Sequence, residues 1–186
     1  AQELGVKRII GFGGVFAEVP YDKQRTISST YSLHSLKPEM DKLAVNLSDY
    51  HGGAAIGSVL SKRANERNME YVSFYAFVPT YNLAQFNALD NMIRLENDFM
   101  AWLGVMRRVN VLINTRFDLS ELESKSAQLV TVLNDKIEEL QSISSSSIRE
   151  YFDILSEEFV EDIFDPLDEV WESELKRLLE DDDPAE

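Results

Sequence analysis

The sequence contains no cysteine, only two histidines and no apolar run long enough to cross a membrane. The absence of cysteine excludes disulfide bonds and thiol catalysis, and it is compatible with the cytoplasmic location that we predict. His34 and His51 are 17 positions apart and form no H-x-x-x-H pattern, so we predict no metal site. A membrane span needs about 18 consecutive apolar residues, so we predict no membrane contact.

Sequence motifs that would indicate an enzyme are also missing. No G-x-S-x-G nucleophile elbow, no G-x-G-x-x-G fingerprint and no P-loop occur. The chemistry of each of these sites requires that spacing of residues, so the sequence gives no support for it. We therefore predict no catalytic residue and no cofactor, and we favour a protein that is not an enzyme.

Acidic residues outnumber basic ones, and the excess is confined to one part of the chain. The net charge is −15. Residues up to Arg116 include 13 basic and 11 acidic side chains, whereas the remainder has 5 basic and 22 acidic ones. Such an acidic segment repels phosphate backbones, so we predict that the protein does not bind nucleic acid. A solvated helical face and a basic protein partner are both compatible with it.

The first two-thirds of the sequence alternates between strand and helix patterns. We predict a strand at Ile9–Ile10 entering a glycine turn, extended segments at 15–20 and 25–33, and a strand at 69–81 that Pro79 ends. Helices are predicted within 37–50, where Pro38 suits a first turn, and after the glycine loop at 51–57. This alternation predicts an α/β fold with a partly parallel sheet.

The rest of the sequence has helical periodicity. We predict a long helix from about Asn82 to Arg107, and a second helix that Asp118 or Ser120 caps and that ends near residue 140. An acidic amphipathic helical extension follows at 148–180, with Pro166 splitting it near Phe164–Asp165, and then a disordered tail at 181–186.

Two glycine clusters are candidates for binding a ligand. Gly13 and Gly14 follow the first predicted strand, and His51, Gly52 and Gly53 precede a helix. Their backbone N–H groups could bind an anion, since unpaired amides at such turns carry partial positive charge. Alternatively, the glycines only let the backbone lie close to a neighbouring element.

Large apolar residues recur in the acidic extension. Phe152, Phe159, Phe164 and Trp171 are too many for a helix exposed on all sides, because burying each such side chain is worth roughly 1.5–3 kcal/mol. They pack either on their own chain or on another subunit. We therefore predict self-association, with these four residues at a partner interface.

Several segments occur in an order that resembles a known family. They are VKRIIGFGGVFAEVP at the start, HGGAAIGSVLSKRANERNMEYVSFYAFVPTY in the middle, and DLSELESKSAQLVTVLNDKIEEL from Asp118. This order is similar to the later half of the PAC2 family, the proteasome-assembly-chaperone-like proteins, over residues 1–141. The resemblance implies a three-layer α/β/α sandwich related in architecture to nucleoside phosphorylases. It also implies that the family's N-terminal strands precede Ala1, so that this chain is an N-terminally truncated fragment.

The resemblance implies a function through protein contacts. Some relatives bind proteasome α subunits during assembly, so proteasome subunits are the implied partners. Some archaeal relatives dock through a C-terminal hydrophobic–Tyr–any-residue tail, whereas this sequence ends DDDPAE. The alternative hypothesis is a protein or enzyme that binds a nucleoside or phosphorylated metabolite in the crevice at the carboxyl ends of the strands, near Gly13 and His51.

Overall fold

The computed structural model describes residues 1–47, 56–84, 92–143 and 147–164, and these form a mixed α/β structure. In chain order the strands and helices are β1 (Arg8–Ala17), β2 (Ile27–Tyr31), α1 (Lys37–Met40), β3 (Asn46–Leu47), α2 (Ile56–Asn65), β4 (Glu70–Asn82), β5 (Met92–Arg94), α3 (Phe99–Leu112), α4 (Ser120–Ile143) and α5 (Ser147–Glu157). Short 3₁₀ turns occur at Gln2–Leu4 and His34–Leu36. The predicted α/β class is confirmed.

The sheet is partly parallel, as predicted, and β4 is its centre. The strand order is β1-β4-β2-β3, with β5 paired to the end of β4. β1 runs parallel to β4, while β2 and β5 run antiparallel to it. The sequence of β4 is apolar on both faces, which predicts a strand buried on both sides. The structure has helices on both sides of β4.

Alternate residues of β4 face the two helical layers. Val72, Phe74 and Ala76 join the main core with residues of α3, whereas Tyr71 packs with Ala64 of α2 in a separate cluster. Side chains alternate between the faces of a strand, so α2 and α3 lie on opposite sides of the sheet. These positions correspond to the three predicted layers.

A further apolar cluster joins the far end of β4 to the C-terminal helices. It contains Tyr81 and Leu83, Ile93 after them in sequence, Leu133, Ile137 and Leu140 of α4, and Ile148 and Phe152 of α5. The helix predicted from Asp118 or Ser120 is confirmed as α4, and the Asp118 carboxylate accepts a hydrogen bond from the Ser120 amide.

Three predictions of secondary structure are wrong. The predicted helix from Asn82 to Arg107 begins only at Phe99, because Met92–Arg94 pair with β4 as β5. Pro79 does not end β4. It lies opposite Ala17 of β1, and the pairing of β4 with β2 has already stopped at Ala76, so Pro79 interrupts no pairing with β2. The C-terminal helix ends at Glu157 rather than near Phe164, and residues 158–164 continue without regular structure.

Candidate protein-binding face at strand β1

The glycines of β1 lie inside a continuous strand, so the predicted glycine turn is wrong. Gly11 and Gly13 lie opposite Ser73 and Tyr75 of β4 in the parallel register. A Cβ on Gly13 would be 2.6 Å from Cδ1 of Tyr75, and one on Gly11 would be 2.7 Å from the Tyr71 hydroxyl. Here the glycines leave room for two tyrosine rings. This agrees with the alternative that glycine lets the backbone lie close to a neighbouring element. Ligand binding by Gly13 and Gly14 stays a prediction.

The second predicted glycine site is only partly visible. His51, Gly52 and Gly53 lie outside the described residues, so their role stays a prediction. The helix that they precede is α2, as predicted. A Cβ on Gly57 would overlap the Tyr75 hydroxyl, so α2 approaches the sheet where a glycine allows it.

β1 is at the edge of the described sheet, and several of its own large apolar side chains are exposed. No described strand other than β4 pairs with it. Phe12 is 62% exposed, and Val15 and Phe16 are also exposed. Apolar side chains scattered singly over a surface are ordinary, but a contiguous patch indicates a binding surface.

An apolar groove of about 510 Å³ lies between β1 and α3, and we call it the β1–α3 groove. Phe12 and Gly14 form one side, Trp102 and Val105 form the other, and Ala76 and Val78 of β4 also line it. The Trp102 ring contacts the Phe99 ring edge-on at 5.2 Å and stays half-exposed. Tryptophan in such a position is typical of the residues that dominate protein interfaces.

The aromatic residues of the C-terminal extension divide between the core and other positions. Phe152 and Phe164 are buried within the chain, whereas Phe159 is half-buried. Trp171 lies outside the described residues. Of the two alternatives for Phe152 and Phe164, the structure therefore shows packing on their own chain. Partner contact by any of the four stays a prediction.

Residues 158–164 cross back over the domain, and we call them the C-terminal strap. The Gln24 amide donates to Glu161 at 2.7 Å, and the Asn46 side chain donates to Asp162 at 3.1 Å. The Phe164 amide donates to the Gln24 side chain at 3.4 Å. These contacts bring the strap to the segments on either side of β2.

The strap ends on a buried arginine. Arg108 of α3 donates to the carbonyls of Leu43, Ala44 and Gly104 at 2.8–3.0 Å. Its guanidinium lies 4.5 Å from the centre of the Phe164 ring, a cation–π contact. Burial lowers the pKa of Arg108 to about 10, although the charge of Asp162 opposes that shift.

Three buried charged residues of the structure were absent from the sequence predictions. Arg25 forms a buried ion pair with Asp98 at 2.8 Å, and Arg108 is held by carbonyl oxygens alone among its described hydrogen-bond partners. For Asp98 a signal exists, because aspartate followed by a helical pattern is typical of a helix N-cap. The arginines carry no such signal, since a basic side chain within an apolar pattern usually lies at the surface.

Within the described ranges, no group of three or more histidine, cysteine, aspartate or glutamate side chains is arranged to bind a metal ion. Among the described helices, none has both the length and the apolar character that a membrane crossing requires.

Solved structures resemble this chain at low sequence identity. A PAC2 family protein from Streptomyces avermitilis has a TM-score of 0.60 at 24% identity, covering 81% of this chain and 55% of that one. A proteasome-assembly chaperone homologue from Mycobacterium tuberculosis has 0.62 at 17%, covering 81% and 56%. PbaB of Pyrococcus furiosus, an archaeal proteasome activator, has 0.53 at 18%, covering 72% and 52%. These likenesses show a shared fold, and the chain spans about half the length of each.

No curated protein matches the sequence. The model of the PAC2 family matches residues 1–137, which is most of the chain and includes the whole described sheet together with α1 to α3. This chain belongs to the PAC2 family.

Proposed function

We propose that this protein is a proteasome-assembly-chaperone-like protein that acts in the cytoplasm through protein contacts rather than by catalysis. The observation that carries the proposal is membership of the PAC2 family. Support comes from solved proteins of the same fold, which include a proteasome-assembly chaperone homologue and a proteasome activator. The proposed partners are proteasome α subunits.

The surface that we assign to this contact is the β1–α3 groove. It is lined mainly by apolar side chains and is open, and Trp102 projects from α3 on one side of it. Burial of a half-exposed tryptophan in a partner supplies a large part of the binding energy in many complexes. The acidic residues that follow Phe117 add an attraction for a basic surface.

The test measures binding of the 186-residue protein to purified proteasome α subunits by biolayer interferometry. We expect binding by the natural sequence and a loss of about 2 kcal/mol, roughly 30-fold in affinity, for Trp102→Glu. The matched control is Phe117→Glu, since Phe117 is 51% exposed and Trp102 is 47% exposed. Circular dichroism checks that both variants fold.

Absence of binding by the natural sequence would overturn the proposed function. Equal loss in the two variants would retain the function but remove the β1–α3 groove as the contact surface.

A further inference from the structure

We propose that the C-terminal strap occupies a peptide-binding cleft of its own domain, and that this cleft also binds an acidic partner segment that carries an aromatic residue. We call it the strap cleft, and Gln24, Asn46 and Arg108 supply its polar groups. None of these three residues lines the β1–α3 groove. The strap cleft is therefore a second surface, and its role does not depend on binding to proteasome subunits.

The first argument is that the strap cleft contains a buried positive charge. Arg108 is only 1% exposed. Its hydrogen-bond partners within the described ranges are three backbone carbonyl oxygens, so no described carboxylate forms a hydrogen bond with it. A buried cation in this position attracts a negative charge and the face of an aromatic ring. The strap brings both, because the Phe164 ring lies 4.5 Å from the guanidinium and the charge of Asp162 acts on it.

The second argument is that the other polar groups of the strap cleft fit an acidic peptide. The backbone amide of Gln24 donates to Glu161 at 2.7 Å, and the side-chain amide of Asn46 donates to Asp162 at 3.1 Å. The side-chain oxygen of Gln24 accepts a hydrogen bond from the backbone amide of Phe164. Two donors thus bind carboxylates and one acceptor binds a main-chain amide. This arrangement specifies two adjacent acidic residues with an aromatic residue two positions after them.

The third argument is that the strap is an addition to the domain rather than a part of its sheet. The family model matches residues 1–137, which include all three polar residues of the strap cleft, whereas the strap begins at Glu158. The strap has no regular secondary structure, and among the described residues no backbone–backbone hydrogen bond joins it to a strand. Val160 is 82% and Ile163 is 68% exposed. Opening of the strap therefore leaves every strand of the described sheet paired.

The strap is in this arrangement an autoinhibitory segment. An occupant on the same chain competes with a free peptide at a high effective concentration, on the order of millimolar for a short flexible connection. A partner segment of the same chemistry consequently binds weakly while the strap is docked. Loss of the hydrogen bonds that Glu161 and Asp162 accept should weaken the strap and make the cleft accessible to the partner.

The experiment measures binding of a fluorescein-labelled peptide with the sequence of residues 157–164, EEFVEDIF, to the 186-residue chain by fluorescence anisotropy. We expect weak binding by the natural sequence and at least about tenfold tighter binding by the double variant Glu161→Ala, Asp162→Ala, because its strap has lost two charge-assisted hydrogen bonds. The matched control, Glu157→Ala, Glu158→Ala, removes the same charge from exposed positions. It should stay within about twofold of the natural sequence.

Two comparisons place the peptide in the strap cleft. A peptide with alanine in place of Phe164 should bind the double variant at least about tenfold more weakly, because it lacks the ring that faces Arg108. In the double variant Asn46 has lost Asp162 of the strap as its partner, so the further change Asn46→Ala acts on the bound peptide alone. We expect it to weaken binding by about threefold or more. Asn46 is exposed, and circular dichroism checks that each variant folds.

Amide hydrogen exchange tests displacement of the strap in the natural sequence, without any substitution. Excess peptide should accelerate exchange at Ile163 and Phe164, whose amides are hydrogen-bonded in the docked strap, and should leave the β4 amides unchanged. Absence of this acceleration would overturn the proposal. So would unchanged affinity in the double variant, an equal gain in the matched control, equal binding of the alanine peptide, or no effect of Asn46→Ala.

Discussion

At the scale of single residues, buried polar side chains hold together segments that are distant in the sequence. Asp98 accepts hydrogen bonds from the amides of Met100 and Ala101 and also pairs with Arg25. Arg25 in turn donates to the carbonyls of Pro20, Tyr21 and Lys23. One carboxylate therefore fixes both the start of α3 and the chain before β2.

Replacement of Asp98 by alanine tests this role. Because Asp98→Ala leaves the Arg25 charge buried and removes the α3 cap, we expect a loss of about 3–5 kcal/mol in the free energy of unfolding. Urea titration measures it. The control is Glu66→Ala, which breaks the exposed pair with Arg63 and should change the free energy of unfolding far less, since exposed ion pairs contribute little to stability. Similar losses in the two variants would contradict the role of Asp98 as the partner of Arg25 and the N-cap of α3.

One buried tyrosine and one half-buried tyrosine predict how stability changes at alkaline pH. Burial raises the pKa of Tyr81, and it also raises the pKa of Tyr151 to about 12, helped by Glu18. The unfolded pKa is near 10. The folded protein therefore binds more protons than the unfolded chain above that value, and the stabilisation, fully present below pH 10, is lost as the pH rises through the folded pKa.

Substitution by phenylalanine isolates this contribution. Each raised tyrosine adds a slope of up to about 1.4 kcal/mol per pH unit, so we expect Tyr81→Phe to lose stability less steeply between about pH 10 and 11 than the natural sequence. Loss of the hydrogen bond from Tyr81 to the Val19 carbonyl should add a constant offset of about 1 kcal/mol. Urea unfolding at several pH values measures the slope, and parallel curves would disprove the explanation.

At the scale of elements, tertiary pairing replaced a helix that local periodicity favours. Met92 and Ile93 belong to the apolar stripe of the predicted 82–107 helix, and short apolar runs do not distinguish helix from strand. Pairing with Thr80–Asn82 makes this segment β5, and Ile93 joins the cluster that contains α4 and α5. Asp98 then provides the actual N-cap.

The C-terminal strap is an element without regular structure that nevertheless contributes to the core. Phe164 is buried in the main cluster beside α3, so its attachment depends on side-chain packing and a few hydrogen bonds rather than on a helix or a strand. We therefore expect the stability of the strap to depend strongly on one ring.

The test is Phe164→Ala. Removing this ring should cost about 3–5 kcal/mol in the free energy of unfolding and should expose the Arg108 guanidinium to water. The control is Ile163→Ala, one position earlier and exposed, where we expect a change within about 0.5 kcal/mol. Thermal unfolding followed by circular dichroism measures both. Equal melting temperatures for the two variants would show that the strap does not hold the core.

At the scale of the whole molecule, charge and apolar surface are unevenly distributed. The acidic excess follows Phe117, whereas the exposed apolar strand β1 lies in the part of the sequence with almost balanced charge. Two surfaces therefore differ in chemistry: an apolar one around β1 and an acidic one along the later helices.

The net charge of −15 predicts a salt effect on the whole fold. Repulsion among the acidic side chains destabilises the compact state and is screened by salt. We expect the melting temperature to rise between about 0.02 and 0.3 M sodium chloride, as the Debye length falls below about 10 Å. A melting temperature that falls with salt would show that attractive ion pairs, such as Arg8 with Glu39 and Glu70, outweigh the repulsion.

The sequence by itself determined the fold class, β2, α2, α4 and most of β4, because their apolar patterns have the period of one kind of element over a sufficient length. The family resemblance also came from the sequence, through the order of several short segments rather than from any single motif.

Only the tertiary structure decided the rest. β1 continues through its glycines because Tyr71 and Tyr75 need the space, and Met92–Arg94 become a strand because β4 offers them an edge. The strap leaves the helical pattern, and Phe164 meets Arg108 in the core. Each outcome depends on a contact between residues far apart in sequence, which local periodicity does not encode.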